Sequence, residues 1–124
     1  MDSTLLRKAA AAFGATGVGM GAFGAHALKA QLTSRGTLAT WKTAVLYQLV
    51  HSVALLALSV APKTLDSGST GSCWIIGTAL FSGSLYGLAM GGPRLLGPVT
   101  PIGGLIMIGG WVALGFASNS IDRP

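Results

Sequence analysis

The sequence predicts an all-α integral membrane protein, a bundle of four transmembrane helices running up-down-up-down. Three observations carry that prediction. Hydrophobic residues make up 51% of the chain and charged residues 9%, against roughly 25% charged in soluble domains, and the mean hydropathy is +0.65. So little charge leaves too little polar surface to keep a globule in water. Four apolar runs stand out, each near the ~20 residues that cross a ~30 Å hydrocarbon core as a helix. The links between them are short, which makes sequential neighbours antiparallel.

The first run, Ala9–Leu28, follows Arg7 and Lys8. The second, Thr43–Ala61, is ended by Pro62, and the third, Cys73–Met90, by Gly91-Gly92-Pro93. The fourth, Val99–Ala117, gives way to Ser118-Asn119. A helix is the expected state of each, because in lipid every backbone amide must bond within its own segment. The links are Lys29–Lys42, Pro62–Ser72 and Gly91–Pro98, and the 124 residues read as a single transmembrane domain without an internal repeat. Arg7-Lys8 followed by an apolar stretch and Ala25-His26-Ala27 imitates a signal peptide. The stretch exceeds the ~7–15 residues of a typical signal core, so a retained span is expected.

The net charge is +5, yet of the eight Lys and Arg only Arg7 and Lys8 are adjacent. Without a basic cluster there is no nucleic-acid footprint; basic residues at the ends of apolar runs serve anionic headgroups and topology instead. The termini and second link share one side, with Arg7, Lys8, Lys63 and Arg123. The other side holds Lys29, Arg35, Lys42 and Arg94, so the charge difference is flat. The three basic residues of the first link incline that link toward the cytoplasm or matrix. Asp2, Asp66 and Asp122 add little to orientation. Cys73 is the only cysteine, which excludes an internal disulfide or a thiolate cluster within one chain.

Small residues recur four apart in two of the runs. Gly17, Gly21 and Ala25 form one stripe, and Ala79, Gly83 and Gly87, continued by Gly91, form another. Residues four apart share a helix face, so each stripe lets backbones approach closely. Packing within the bundle is the first expectation for them and dimerisation the second. Trp41, Trp74 and Tyr86 fall near expected helix ends, where amphipathic rings favour the interface. Trp111 lies deeper, and its indole N–H needs a partner.

Intramembrane polar residues point to function. No Asp, Glu, Lys or Arg lies at the centre of any run, which argues against a proton-coupled exporter. What remains is His26, Tyr47, Gln48, His51, Ser52, Ser82, Ser84, Tyr86 and Thr100, all within about ten residues, roughly 15 Å, of the first-link or third-link side. The opposite half holds mainly Thr16, Ser59 and Thr78. Tyr47 and His51 are four apart, as are Gln48 with Ser52 and Ser82 with Tyr86, so each pair shares a face. Ser84 points away and is expected to bond its own backbone one turn back. His26 and Tyr47 sit at similar depth on antiparallel neighbours, where a hydrogen bond can cross. The cluster reads as structural glue, as a polar vestibule for a small solute, or as a metal or cofactor site on His26 and His51. The last is opposed by a depth difference of roughly six residues, or ~9 Å, and by the lack of acids and cysteines. Ser82-Gly83-Ser84 with His51 lacks an oxyanion hole, so no catalytic residue is expected. No cofactor or metal is expected either.

Four stretches together carry a resemblance: Gly21-Ala-Phe-Gly-Ala-His26-Ala-Leu-Lys29, Trp41-Lys-Thr-Ala-Val-Leu-Tyr47-Gln-Leu-Val-His51, Phe81-Ser-Gly-Ser-Leu-Tyr86, and Thr100-Pro-Ile-Gly-Gly104 with Gly110-Trp111 behind it. In that order they resemble the small membrane-protein family of unknown function that includes eukaryotic transmembrane protein 256 and bacterial relatives. The resemblance implies four transmembrane helices in a bacterial plasma membrane or mitochondrial inner membrane, and no assigned activity. It places His26, Tyr47, His51, Ser82, Ser84, Tyr86 and Thr100 in the family's motifs. The expectation is therefore a non-enzymatic small membrane protein, contacting lipid and either other membrane subunits or itself. It would act as an accessory subunit or homo-oligomer; the alternative is a channel or carrier for a small solute.

Overall fold

The computed structural model describes residues 1–119; Asp122 and Arg123, which the charge comparison used, lie outside the described residues. The chain is all-α, with α1 Ser3–Ala25, α2 Lys29–Arg35, α3 Leu38–Ser59, α4 Gly68–Ala89 and α5 Val99–Phe116. A single 3-10 turn, Arg94–Leu96, precedes α5.

α1, α3 and α4 begin earlier than their apolar runs, while α5 begins with its own at Val99. Asp2 caps α1, its Oδ1 accepting the Thr4 N–H at 2.9 Å, so the first turns carry Arg7 and Lys8 on helix rather than on a tail. Capping chemistry, not hydropathy, sets that boundary. At the other end, the His26 N–H donates to the Ala22 and Phe23 carbonyls as α1 stops. The first link then holds a helix that the sequence reading missed. In α2, Leu32 is fully buried among otherwise exposed residues, and Gly36 ends the helix at φ 70. That left-handed backbone favours glycine. A second one, Gly91 at φ 83, turns the chain out of α4. Beyond α5 the chain returns to the second link, where Leu65 bridges Asn119 and the Asp66 N–H donates to the Ser118 carbonyl at 3.2 Å.

Three helical stretches are long and apolar enough to cross a membrane: α3, α4 and Arg94–Phe116. α1 has the length, at 23 residues, but its Ala- and Gly-rich sequence falls short in hydropathy. Each long helix packs on the next in the chain. Ala10, Phe13 and Met20 of α1 meet Ser52, Gln48 and Trp41 of α3. Ala44 and His51 of α3 meet Ser82 and Trp74 of α4. Phe81, Gly77 and Trp74 of α4 meet Gly103, Met107 and Gly110 of α5. Numbers fall on one helix as they rise on its neighbour, so each of these pairs is antiparallel. Two apolar cores result. Leu6, Ala10, Leu55, Leu58 and Trp74 form one; Leu32, Trp41 and Ala89 form the other beneath α2.

The small-residue stripes are only partly those expected. Gly17 packs as predicted, since a Cβ there would lie 2.7 Å from Leu49 Cδ2, and Gly21 would meet Val45 at 3.4 Å. Ala25, however, is exposed at the end of α1. On α4 the first expectation, packing within the bundle, does not describe this face. Ala79 and Gly83 are exposed, nothing lies within 4 Å of a Cβ at Gly83, and Gly87 meets Leu96 of the 3-10 turn instead of a long helix. The close approach is Gly77 against Gly103, where a Cβ at Gly103 would stand 2.5 Å from the Phe81 nitrogen and 2.9 Å from the Gly77 oxygen. Spacing four apart identifies a face but not which face meets a neighbour; the bulk of Trp74 and Met107 decides that here. Trp41 and Trp74, expected at the interface, are buried at 3% and 2% exposure because α3 and α4 start several residues before them.

Candidate functional site

Gln48 is the centre of the polar interior. It is buried on α3, and its Nε2 donates to the Phe13 carbonyl at 3.0 Å and to Thr16 Oγ1 at 2.7 Å, both on α1. Its Oε1 accepts from the Tyr86 hydroxyl of α4 at 2.7 Å. Thr16 passes its own proton to the Ala12 carbonyl at 2.7 Å. One amide thus ties three helices together with both N–H groups and an oxygen lone pair used. The sequence reading placed Thr16 in the opposite half of the protein; the register of α1 on α3 brings it level with Gln48.

The remaining side chains settle in separate seams. Ser52 Oγ donates to the Ala10 carbonyl and Ser82 Oγ to the Ala44 carbonyl, each at 2.7 Å. Ser84 Oγ donates one turn back to the Phe81 carbonyl at 3.0 Å, as expected, and meets Thr100 Oγ1 at 2.6 Å across the α4–α5 seam. Two further bonds went unforeseen: Trp41 Nε1 to the Met20 carbonyl, and Thr37 Oγ1 to the Ala89 carbonyl, each at 2.8 Å. His26 does not join. Its side chain is exposed at the end of α1 and makes no hydrogen bond to Tyr47. Because Ala10 is level with Ser52, His26 and His51 are separated by about 16 residues of helix, or ~24 Å, so the pair cannot share a ligand. The sequence estimate of their separation was too small because the first link is folded into helix.

His51 is the second centre. Its Nδ1 lies 2.8 Å from the Tyr47 carbonyl, and a carbonyl only accepts, so Nδ1 carries the proton. Nε2 is then a lone pair, and it accepts the Trp111 indole N–H at 3.1 Å. The two bonds select one neutral tautomer, and they answer the need of Trp111 for a partner. Trp74 packs against both rings, 6.1 Å from His51 and 4.4 Å from Trp111 between ring centroids. Its own Nε1 is the buried side-chain polar atom left without a hydrogen bond among the described residues.

Beside this aromatic group lies a cleft of about 280 Å³ between α3, α4 and α5, walled by Tyr47, His51, Phe81, Met107, Ile108 and Trp111 with Gly104 at its side. A larger recess, about 610 Å³, sits at one end of the molecule between the start of α1 and the second link, near Asp2, Leu6, Lys63 and Ser67. Tyr47, half the expected pair with His51, stacks on it at 6.4 Å and meets Phe81 at a tilt at 4.9 Å, but its hydroxyl makes no hydrogen bond among the described residues. The expected single polar half is therefore a set of cross-helix bonds in different seams, with one hydroxyl left over at a cleft.

Residues 20–104 match the family model described as a protein of unknown function (DUF423). A UPF0382 membrane protein of Schizosaccharomyces pombe is 42% identical over 110 residues, covering 85% of this chain and 93% of that protein. Another, from Staphylococcus haemolyticus, is 42% identical over 99 residues, covering 78% of this chain and 80% of that protein. A third, from Haemophilus influenzae, is 39% identical over 104 residues, covering 82% of each. No solved structure matches. The resemblance drawn from the four helix motifs holds: the chain belongs to the DUF423 family, the UPF0382 membrane proteins of bacteria and yeast.

Proposed function

We propose that this membrane protein is a non-enzymatic packing unit, a four-span up-down-up-down bundle that acts as an accessory subunit of a larger membrane complex or as a homo-oligomer. The observation that supports this most is the inward use of the polar side chains. Gln48 spends three bonds on α1 and α4, and Ser52 and Ser82 each spend their proton on a neighbouring backbone. A solute path needs polar groups that face water and exchange partners, whereas these groups hold helices in register. The membrane assignment of α1 is part of the same proposal. Its modest hydropathy is offset by α3 side chains that donate to its carbonyls, which suits a helix covered by protein on one face.

The channel or carrier reading keeps one supporting observation, the cleft beside His51. Isolation from native membranes in mild detergent, followed by measurement of particle mass, tests the packing proposal. The expected particle is far heavier than the 12.5 kDa chain plus detergent. A stable monomer, with no partner captured by cross-linking in native membranes, overturns it. Solute flux into liposomes that changes with His51→Ala would favour the carrier.

A further inference from the structure

The cleft at Tyr47 has a polar requirement that the protein does not meet. α3 runs 22 residues, about 33 Å at 1.5 Å per residue, and Tyr47 falls about 14 Å along it. That is near the middle of a ~30 Å hydrocarbon core. Tyr47 is 42% exposed there. A hydroxyl in hydrocarbon seeks an acceptor, because leaving it without one costs free energy that water cannot return. Phospholipid oxygens lie in the interfacial layers, roughly half the core thickness away. The acceptor must therefore arrive on a molecule dissolved in the core.

The walls specify the rest of that molecule. Tyr47, Phe81 and Trp111 present aromatic rings, Met107 and Ile108 are apolar, and Gly104 contributes no side chain. A Cβ at Gly104 would find only the Phe81 ring, at 3.6 Å, so this side of the cleft is open space instead of a helix contact. At about 280 Å³ the cleft is at the small end of ligand pockets, which run from roughly 300 Å³ and are mostly apolar with a few placed polar groups. It holds one substituted ring. His51 offers no competing acceptor, since Trp111 occupies its lone pair.

We infer that the Tyr47 cleft binds a membrane-dissolved flat ring bearing a carbonyl, the chemistry of a quinone, with the Tyr47 hydroxyl donating to that carbonyl. The inference is independent of an accessory role: a ring can bind a monomer, and a large complex can leave the cleft empty.

The test uses the full chain in nanodiscs of synthetic phosphatidylcholine that contain no quinone. Decylubiquinone is titrated in, and tryptophan emission is followed, with Trp111 in the cleft wall as the quenched reporter. The wild type should quench saturably. Tyr47→Phe should weaken the apparent affinity by about tenfold, the scale of one lost hydrogen bond. It deletes a hydroxyl that bonds nothing within the fold, so folding should be intact. Gly104→Leu should abolish the saturable phase by filling the space. Linear quenching that is the same in all three proteins means partitioning into lipid and overturns the inference. Saturable quenching indifferent to Tyr47→Phe overturns it too. So would a photo-reactive residue at position 108 that yields only protein adducts in native membranes, since a partner helix would then fill the cleft.

Discussion

Replacing Gln48 with Leu removes the amide that joins α1, α3 and α4 while keeping an apolar side chain of similar length. Three hydrogen bonds disappear. Cross-helix bonds in membranes average ~0.6 kcal/mol, so their loss comes to about 2 kcal/mol. The consequences differ by partner. The Phe13 carbonyl is a helix carbonyl, and Thr16 still donates to Ala12, so neither is stranded. The Tyr86 hydroxyl loses its acceptor, which adds about 1 kcal/mol. The expected cost of Gln48→Leu is therefore about 3 kcal/mol. A double-mutant cycle with Tyr86→Phe isolates the shared bond and should return a coupling between about 0.6 and 1.7 kcal/mol. Reversible unfolding in mixed micelles, followed by tryptophan emission, measures all four corners of the cycle. A Gln48→Leu protein within about 0.5 kcal/mol of wild type, or strictly additive single mutants, would refute the reading of Gln48 as the tie between three helices.

The glycines supply further predictions. Gly103→Ala should destabilise by at least about 2 kcal/mol in the same unfolding assay, because its Cβ meets the Phe81 and Gly77 backbones, which cannot rotate away. Gly83→Ala should be neutral or stabilising by up to about 1 kcal/mol, since its Cβ meets nothing and Ala is the better helix former. Gly24→Ala should force Trp41 out, as its Cβ would lie 2.5 Å from the indole Cδ1 and Nε1. Trp41→Ala removes those two atoms, so the double mutant should unfold with less than the summed cost. Asp2→Ala should lower stability by about 0.5–2 kcal/mol through loss of the α1 cap, with faster amide exchange confined to the first turn of α1.

What the sequence made legible follows from where its signals act. Apolar runs located the four long helices, three of them long and apolar enough to cross a membrane, where the backbone must bond within its own segment. Periodicity placed Gln48 with Ser52, and Ser82 with Tyr86, on shared faces, and both pairs do face one neighbour. Three things were not legible. Capping by Asp2 and the folding of α2 moved the starts of α1 and α3 by several residues, and with them the depths measured from the first link. That shift puts Thr16 level with Gln48 and separates His26 from His51. Which glycine face meets a neighbour depends on the large side chains opposite: Met107 and Trp74 select Gly77 and Gly110, while Gly83 and Gly87 look regular but point elsewhere. The bond from Trp111 to His51 joins α5 to α3 across α4 and is invisible to any argument from one helix.

The contact between α1 and α3 shows why so plain a helix can hold its place. Three α3 side chains donate to α1 carbonyls: Trp41 to Met20, Gln48 to Phe13 and Ser52 to Ala10. Beside each donor stands a glycine of α1. A Cβ at Gly24 would strike the Trp41 ring, one at Gly17 would come within 3.4 Å of Gln48 Nε2, and one at Gly14 within 3.0 Å of Ser52 Oγ. A helix carbonyl has a second lone pair after its own amide bond, but a side chain reaches it only where the helix surface is bare. Serine, with its single-carbon reach, needs the closest approach of all, and it attains 2.7 Å. The glycines of α1 and the donors of α3 are therefore one device. Each bare position admits one donor, each donor fixes the register, and together they hold a helix whose alanines and glycines would otherwise give its neighbour little to grip.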